Sequence, residues 1–173
     1  MQIISGKYQR RSIKYPKNRL FRPTKSVVRE AVFSIIGERI IDATFLDLCS
    51  GSGAVGLEAD SRGAATVFCV DKDTAYLKQN KDLLQADIQV VRSDACRFLK
   101  KTPQTFDIIY FDPVWADLDT YKNGLNTIFS RQLLNNNSIL IVEHDKTLFL
   151  DQIIAQPVTR QYKYGNSLIS IIF

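Results

Sequence analysis

The stretch Leu46-Asp-Leu-Cys-Ser-Gly-Ser-Gly-Ala-Val-Gly constrains the fold more than any other part of the chain. An apolar run over 44–49 leads into Gly51, Gly53 and Gly56 at G-x-G-x-x-G spacing, and the residues that follow read as a helix. A strand that turns tightly into a helix belongs to an open α/β sheet, with the glycines bringing backbone close to a ligand at the helix N-terminus. The surrounding pattern agrees. Further apolar runs at 65–70, 88–91, 106–111 and 138–142 read as buried strands, separated by helical stretches near 54–62, 74–85, 95–101, 118–131 and 146–155. Ahead of them, Thr24 or Ser26 is placed to cap a helix whose apolar positions (Val28, Ala31, Val32, Ile35, Ile36) recur until Gly37. Segments 157–162 and 168–173, joined by Tyr164-Gly-Asn-Ser, read as a closing antiparallel hairpin.

The glycine spacing alone also fits a dinucleotide site, with Asp71, 20 residues after Gly51, on the ribose. Electrostatics argues against a pyrophosphate. Asp47, Asp71, Asp94 and Asp112 all fall at or just beyond the carboxyl ends of expected strands, where such sheets bind ligands. That many carboxylates oppose an anion. S-adenosylmethionine fits instead, because it carries sulfonium and ammonium charges with a ribose diol and an adenine, and no phosphate. On this reading Asp47, Ser50, Gly51, Ser52 and Gly53 lie by the methionine end, Asp71 and Lys72 by the ribose, and Asp94 and Ala95 by the adenine. The plainer reading makes Asp71 or Asp73 a cap for the helix at 74–85, and Asp94 a cap for the helix at Ala95.

Charge is distributed unevenly. Residues 1–30 hold nine Lys or Arg against Glu30 alone, a local +8, while the rest of the chain holds 14 basic and 17 acidic groups. Tyr8, Tyr15 and Phe21 interleave with those cations, the footprint of a polyanion-binding segment. Arg10, Arg11, Lys14, Arg22 and Thr24 are the candidate contacts to a nucleic acid. Cys49, Cys69 and Cys96 form an odd set without a C-x-x-C pair, so neither a disulfide framework nor a zinc site is expected. No run approaches the roughly 20 apolar residues of a membrane span, and the start has no apolar leader, so a cytoplasmic monomer is expected.

The strand at 106–111 ends in Asp112-Pro113-Val114-Trp115. An exocyclic amine is a poor nucleophile because its lone pair is delocalised into the ring. Acceptors on its hydrogens, here the Asp112 carboxylate and the Pro113 carbonyl, stabilise the nitrogen as it becomes tetrahedral. Trp115 is a stacking platform for a base drawn out of its helix.

With these residues in view, the chain resembles the bacterial RsmD-type 16S rRNA (guanine-N2)-methyltransferases over nearly its whole length. Ile3-Ile-Ser-Gly-Lys-Tyr is similar to the family's opening strand. Arg22-Pro-Thr before Val28-Arg-Glu-Ala-Val-Phe is similar to its first helix, and the glycine loop to its cofactor loop. Ser61-Arg-Gly-Ala-Ala, Val142-Glu-His and Tyr164-Gly follow in order. The resemblance implies an α/β, Rossmann-like class I methyltransferase: a mostly parallel sheet with a C-terminal antiparallel hairpin, a basic extension over 1–25 and a core over 26–173. It also implies methyl transfer from S-adenosylmethionine to the N2 amine of one guanine, guanine 966, in 16S rRNA or a small-subunit assembly intermediate. The family's loop reads Asp or Asn, Pro, Pro, then Tyr or Phe, and Val114 replaces the second proline here. That frees a φ angle and restores an N–H, so altered rate or geometry is expected. Two other readings stay open at this level: a non-catalytic RNA-binding protein on a degenerate methyltransferase fold, and an NAD-dependent oxidoreductase.

Overall fold

The computed structural model describes residues 1–16 and 26–173. Seven strands form one sheet: β1 (Thr44–Leu48), β2 (Thr66–Asp71), β3 (Gln89–Arg92), β4 (Phe106–Phe111), β5 (Leu134–Asp145), β6 (Arg160–Tyr164) and β7 (Ser167–Ile172). Their order is β3-β2-β1-β4-β5-β7-β6, with β1 to β5 parallel and β7 antiparallel to both of its neighbours. The helices are α1 (Ser26–Ile36), α2 (Ala54–Ser61), α3 (Ala75–Leu84), α4 (Ala95–Lys101) and α5 (Leu118–Ser130).

Period-two alternation along the strands builds two apolar layers. Phe45 joins α1, α2 and α3 residues on one face, while Leu46 and Leu48 join α4 and α5 residues on the other. Both faces are therefore dry, which is why the central strands are almost uniformly apolar. The α/β class, the parallel sheet and the closing hairpin are as expected. Among the described residues no helix is long and apolar enough to cross a membrane.

Three expectations need correction. The helix expected at 146–155 is only a 3-10 turn over Leu150–Gln152, because β5 runs on to Asp145, whose carboxylate then takes the N–H and hydroxyl of Thr147 and turns the chain. The hairpin strands start three residues later and one residue earlier than expected, at Arg160 and Ser167. The opening segment is not a strand: it makes one bridge, Gln2 to Ser12, around a tight turn. That segment nevertheless belongs to the core. Ile3, Tyr8 and Ile13 are buried with α1, and a clasp onto α2 holds them. Glu58 accepts the Ile4 and Ser5 N–H groups, and Asp60 pairs with Lys7 and accepts the Tyr8 hydroxyl. A cap at Thr24 lies outside the described residues.

Candidate active site

The sheet register sets the site. Val91, Val70, Leu48, Phe111 and Val142 stand in one row across five strands. The next residue of β2 is Asp71 and the one after β4 is Asp112, so both carboxylates leave the sheet at the same level. Above this row lies a cavity of about 540 Å³, within the range of small-molecule sites. Asp47, Asp71, Asp94 and Asp112 all line it, as do Ser50, Gly51, Ser52, Lys72 and Ala95. Pro113, Val114 and Trp115 form part of its wall. Gly53 does not line it.

Gly53 instead acts from below. Its φ of 80° is left-handed, and a Cβ there would lie 2.3 Å from Leu77 Cδ1 of α3. Since glycine cannot cap α2 with a side chain, β1 supplies the cap: the Asp47 Oδ2 accepts the Gly56 N–H at 2.8 Å. Asp47 stands on the apolar face shared with Phe45 and is 2% exposed. Burial first, and then the nearby Asp71 charge, raise its pKa to about 7, against the Gly56 hydrogen bond that lowers it.

Asp71 accepts from Gly51 N–H at 2.8 Å and from Asp73 N–H at 2.9 Å. Each carboxylate oxygen keeps a second lone pair for a ligand. Asp73, not Asp71, takes the Ala75 N–H at the start of α3. Asp94 caps α4 through the Arg97 N–H and pairs with Lys72 at 3.0 Å. The Arg97 hydrogen bond, then Lys72, holds its pKa below the usual value. The cap reading of Asp94 is thus correct, and it places the same carboxylate on the cavity wall. The Ser50 hydroxyl is buried with no hydrogen-bond partner among the described residues. An orphaned polar group at a cavity lined by carboxylates suits a cationic ligand with hydroxyls.

The sequence pattern does not assign three further contributors to the site. Tyr121 of α5 is fully buried, and its hydroxyl lies 2.8 Å from the Glu143 carbonyl and 3.2 Å from the Pro113 carbonyl, tying the 112–115 loop to β5. The Glu143 carboxylate accepts the Tyr110 hydroxyl. Asn80 of α3, also fully buried, donates to Ser52 O at 2.9 Å and to Lys14 O at 2.8 Å, and accepts the Lys14 N–H at 2.7 Å. It joins the glycine loop to the segment that reaches Pro16 on the cavity wall. Its only signal is a polar residue between Leu77 and Leu84 on the buried stripe of α3.

Of the cations expected to meet RNA, Arg10, Arg11 and Lys14 do not line the cavity. Arg11 places its guanidinium on the Leu83 and Leu84 carbonyls at the end of α3, a capping role. Arg10, at φ 66°, and Lys14 are exposed. Arg22 and Thr24 are outside the described residues. His144 is buried and does not line the cavity. The Asp145 carbonyl can only accept, so Nδ1 carries a proton, and Nε2 meets the Ser170 hydroxyl, which Gln161 also contacts. Burial lowers the His144 pKa, which favours the neutral imidazole.

The profile of a family described as Conserved hypothetical protein 95 matches residues 1–173. Ribosomal RNA small subunit methyltransferase D of Escherichia coli (strain K12) is 38% identical over 149 residues, covering 84% of this chain and 75% of that protein. The chain belongs to the RsmD family. A second RsmD-family protein, from Buchnera aphidicola subsp. Baizongia pistaciae, is 34% identical over 153 residues, covering 86% of this chain and 78% of its own length. The fold of the family is shared with a solved Escherichia coli chain provisionally named methyltransferase yhhF, at TM-score 0.86 and 29% identity over 99% of this chain and 96% of that one. Membership of the RsmD family favours a methyltransferase over the NAD-dependent oxidoreductase that the glycine spacing alone left open.

Proposed function

We propose that the chain transfers a methyl group from S-adenosylmethionine to the exocyclic N2 amine of a guanine in 16S rRNA, with guanine 966 as the target. One observation carries the reading: a single cavity joins three carboxylates on the glycine-loop side, Asp47, Asp71 and Asp94, to Asp112, Pro113 and Trp115. When bound, the cofactor supplies an electrophilic methyl carbon. Asp47 and the Ser50–Ser52 backbone would hold its charged methionine portion, Asp71 would accept from the ribose hydroxyls, and Asp94 would accept from the adenine amine. Asp112 and the Pro113 carbonyl accept the hydrogens of the target amine, and Trp115 stacks on the base. Tyr121 keeps that carbonyl in place and leaves it a second lone pair. Catalysis then rests on alignment and on electrostatic stabilisation of the developing cationic nitrogen. The test is to incubate the protein with labelled cofactor and unmodified 16S rRNA or small-subunit particles and to map the methylated nucleotide. Methyl on any atom other than a guanine N2 overturns the specificity.

Asp71→Ala should weaken cofactor binding more than a hundredfold by calorimetry, since two hydroxyls lose an acceptor whose hydrogen bonds contribute roughly 1.5 to 3 kcal/mol each. Asp71→Asn retains one acceptor and should recover part of the loss. Unchanged affinity in a folded Ala variant would reduce Asp71 to a support of Gly51 and Asp73.

Asp47 gives a pH signature. The unfolded chain releases this proton near 3.8 and the folded chain holds it to about 7. The folded state therefore binds the extra proton between those limits, and the contribution of Asp47 to stability falls as pH rises from about 4 to 7 and is level above. Asp47→Asn keeps an acceptor for Gly56 and should gain stability relative to the parent over that interval in denaturant titrations. A cationic ligand favours the ionised form, so parental cofactor affinity should rise with pH up to about 7, and the Asn variant should lose that slope. A parallel pH dependence in the two proteins would remove Asp47 from the binding site.

A further inference from the structure

A second concentration of positive charge lies outside the cavity, at the β3 end of the sheet. Phe68, Val91, Phe98 and Pro103 supply the apolar lining of an open groove of about 700 Å³, and Arg92, Arg97 and Lys101 supply its charges. Asp94 is the one carboxylate in its wall, and it is engaged by Lys72 and by the Arg97 N–H. No acid pairs with the Arg97 guanidinium or the Lys101 ammonium among the described residues, and both side chains are exposed. They stand one helical turn apart on α4, on the same face.

The groove is built in advance. Asp94 caps the start of α4. Arg131 holds its end by donating to the Leu99 and Thr102 carbonyls at 2.6 and 3.0 Å. Phe106 sets Phe68 by packing edge-on, ring centroids 5.7 Å apart. Little ordering is needed for a ligand to bind such a surface. Ser93 and Asp94 line both the groove and the cavity, so the two are continuous.

We propose that this groove docks a single-stranded segment of the substrate RNA that flanks the target nucleotide, with phosphates on Arg97 and Lys101 and a base against Phe98. Unpaired cations around half-buried aromatic rings match a chain that alternates phosphate and base, because every base has a face that stacks without regard to sequence. The groove would thus hold the strand while the cavity receives one base from it. The inference rests on RNA being the substrate.

The test compares Arg97→Gln/Lys101→Gln with Arg160→Gln/Lys163→Gln, which removes the same charge from β6 at the opposite edge of the sheet. Binding of transcribed, unmodified 16S rRNA is titrated at several salt concentrations. The groove variant should bind about tenfold more weakly, with a log affinity against log salt slope shallower by about 1.4, for two lost single-strand phosphate contacts. Its cofactor affinity and its kcat at saturating RNA should stay parental. Phe98→Leu, checked for folding by thermal melt, should weaken binding without changing the slope. A parental slope in the groove variant, or an equal change in the β6 variant, overturns the groove alone. A parent that methylates neither the RNA nor unmodified small-subunit particles overturns the proposed function instead.

Discussion

Asp112→Ala should lower single-turnover methyl transfer by about a thousandfold while leaving most of the cofactor affinity intact. Removing one preorganised group aimed at developing charge costs on the order of a hundred to a thousandfold in other enzymes. Here the lost group is an ionised acceptor facing a nitrogen that becomes cationic, so the upper end is expected. The backbone should hold its place in the variant, because the Asp112 N–H to Leu48 O bond and the Tyr121 hydroxyl at Pro113 do not involve the Asp112 side chain. Asp112→Asn retains an oxygen acceptor without the charge and should fall between the two. Near-normal transfer in a folded Asp112→Ala protein would remove this residue from the mechanism.

Gly56→Ala should produce a large loss of stability. A Cβ at Gly56 would lie 2.2 Å from Cys69 Sγ of β2 and 3.2 Å from the Asp47 carboxylate that caps α2. Alanine is the better helix former by up to about 1 kcal/mol, but overpacking of this kind costs about 1 to 3 kcal/mol, and separating α2 from β1 stretches the Asp47 hydrogen bond as well. A net loss of about 2 to 3 kcal/mol, or roughly 4 to 12 °C in Tm for a chain of this size, is expected. Adding Cys69→Ala removes the obstructing sulfur and should restore much of it. If the double variant is no more stable than Gly56→Ala alone, close packing on Cys69 is not the reason for glycine at this position.

Much of this was legible before any coordinates. Strand–glycine–helix chemistry is local, so β1, the loop and α2 followed from eleven residues, and the strand-end acids followed from periodicity. What escaped depends on distance through space. Asn80 and Tyr121 look like ordinary helix residues until the glycine loop and the 112–115 loop fold against them. Arg11 has the composition of an RNA contact, yet its guanidinium meets two carbonyls of α3 more than 70 residues away. The spurious helix at 146–155 came from apolar spacing that ignored how Asp145 turns the chain.

The clasp between the opening segment and α2 has a consequence for how the molecule assembles. Ile4 and Ser5 meet Glu58 across 54 and 53 residues of chain. Contacts that close so long a loop repay their entropy only once the partner surface exists, and they form slowly. The residues synthesised ahead of the sheet must therefore wait, unanchored, until β1 and α2 have formed a platform for them. Because they open the basic stretch, that stretch gains a fixed root only when α2 and the glycine loop ahead of it are already in place, and the maturation of one reports on the maturation of the other.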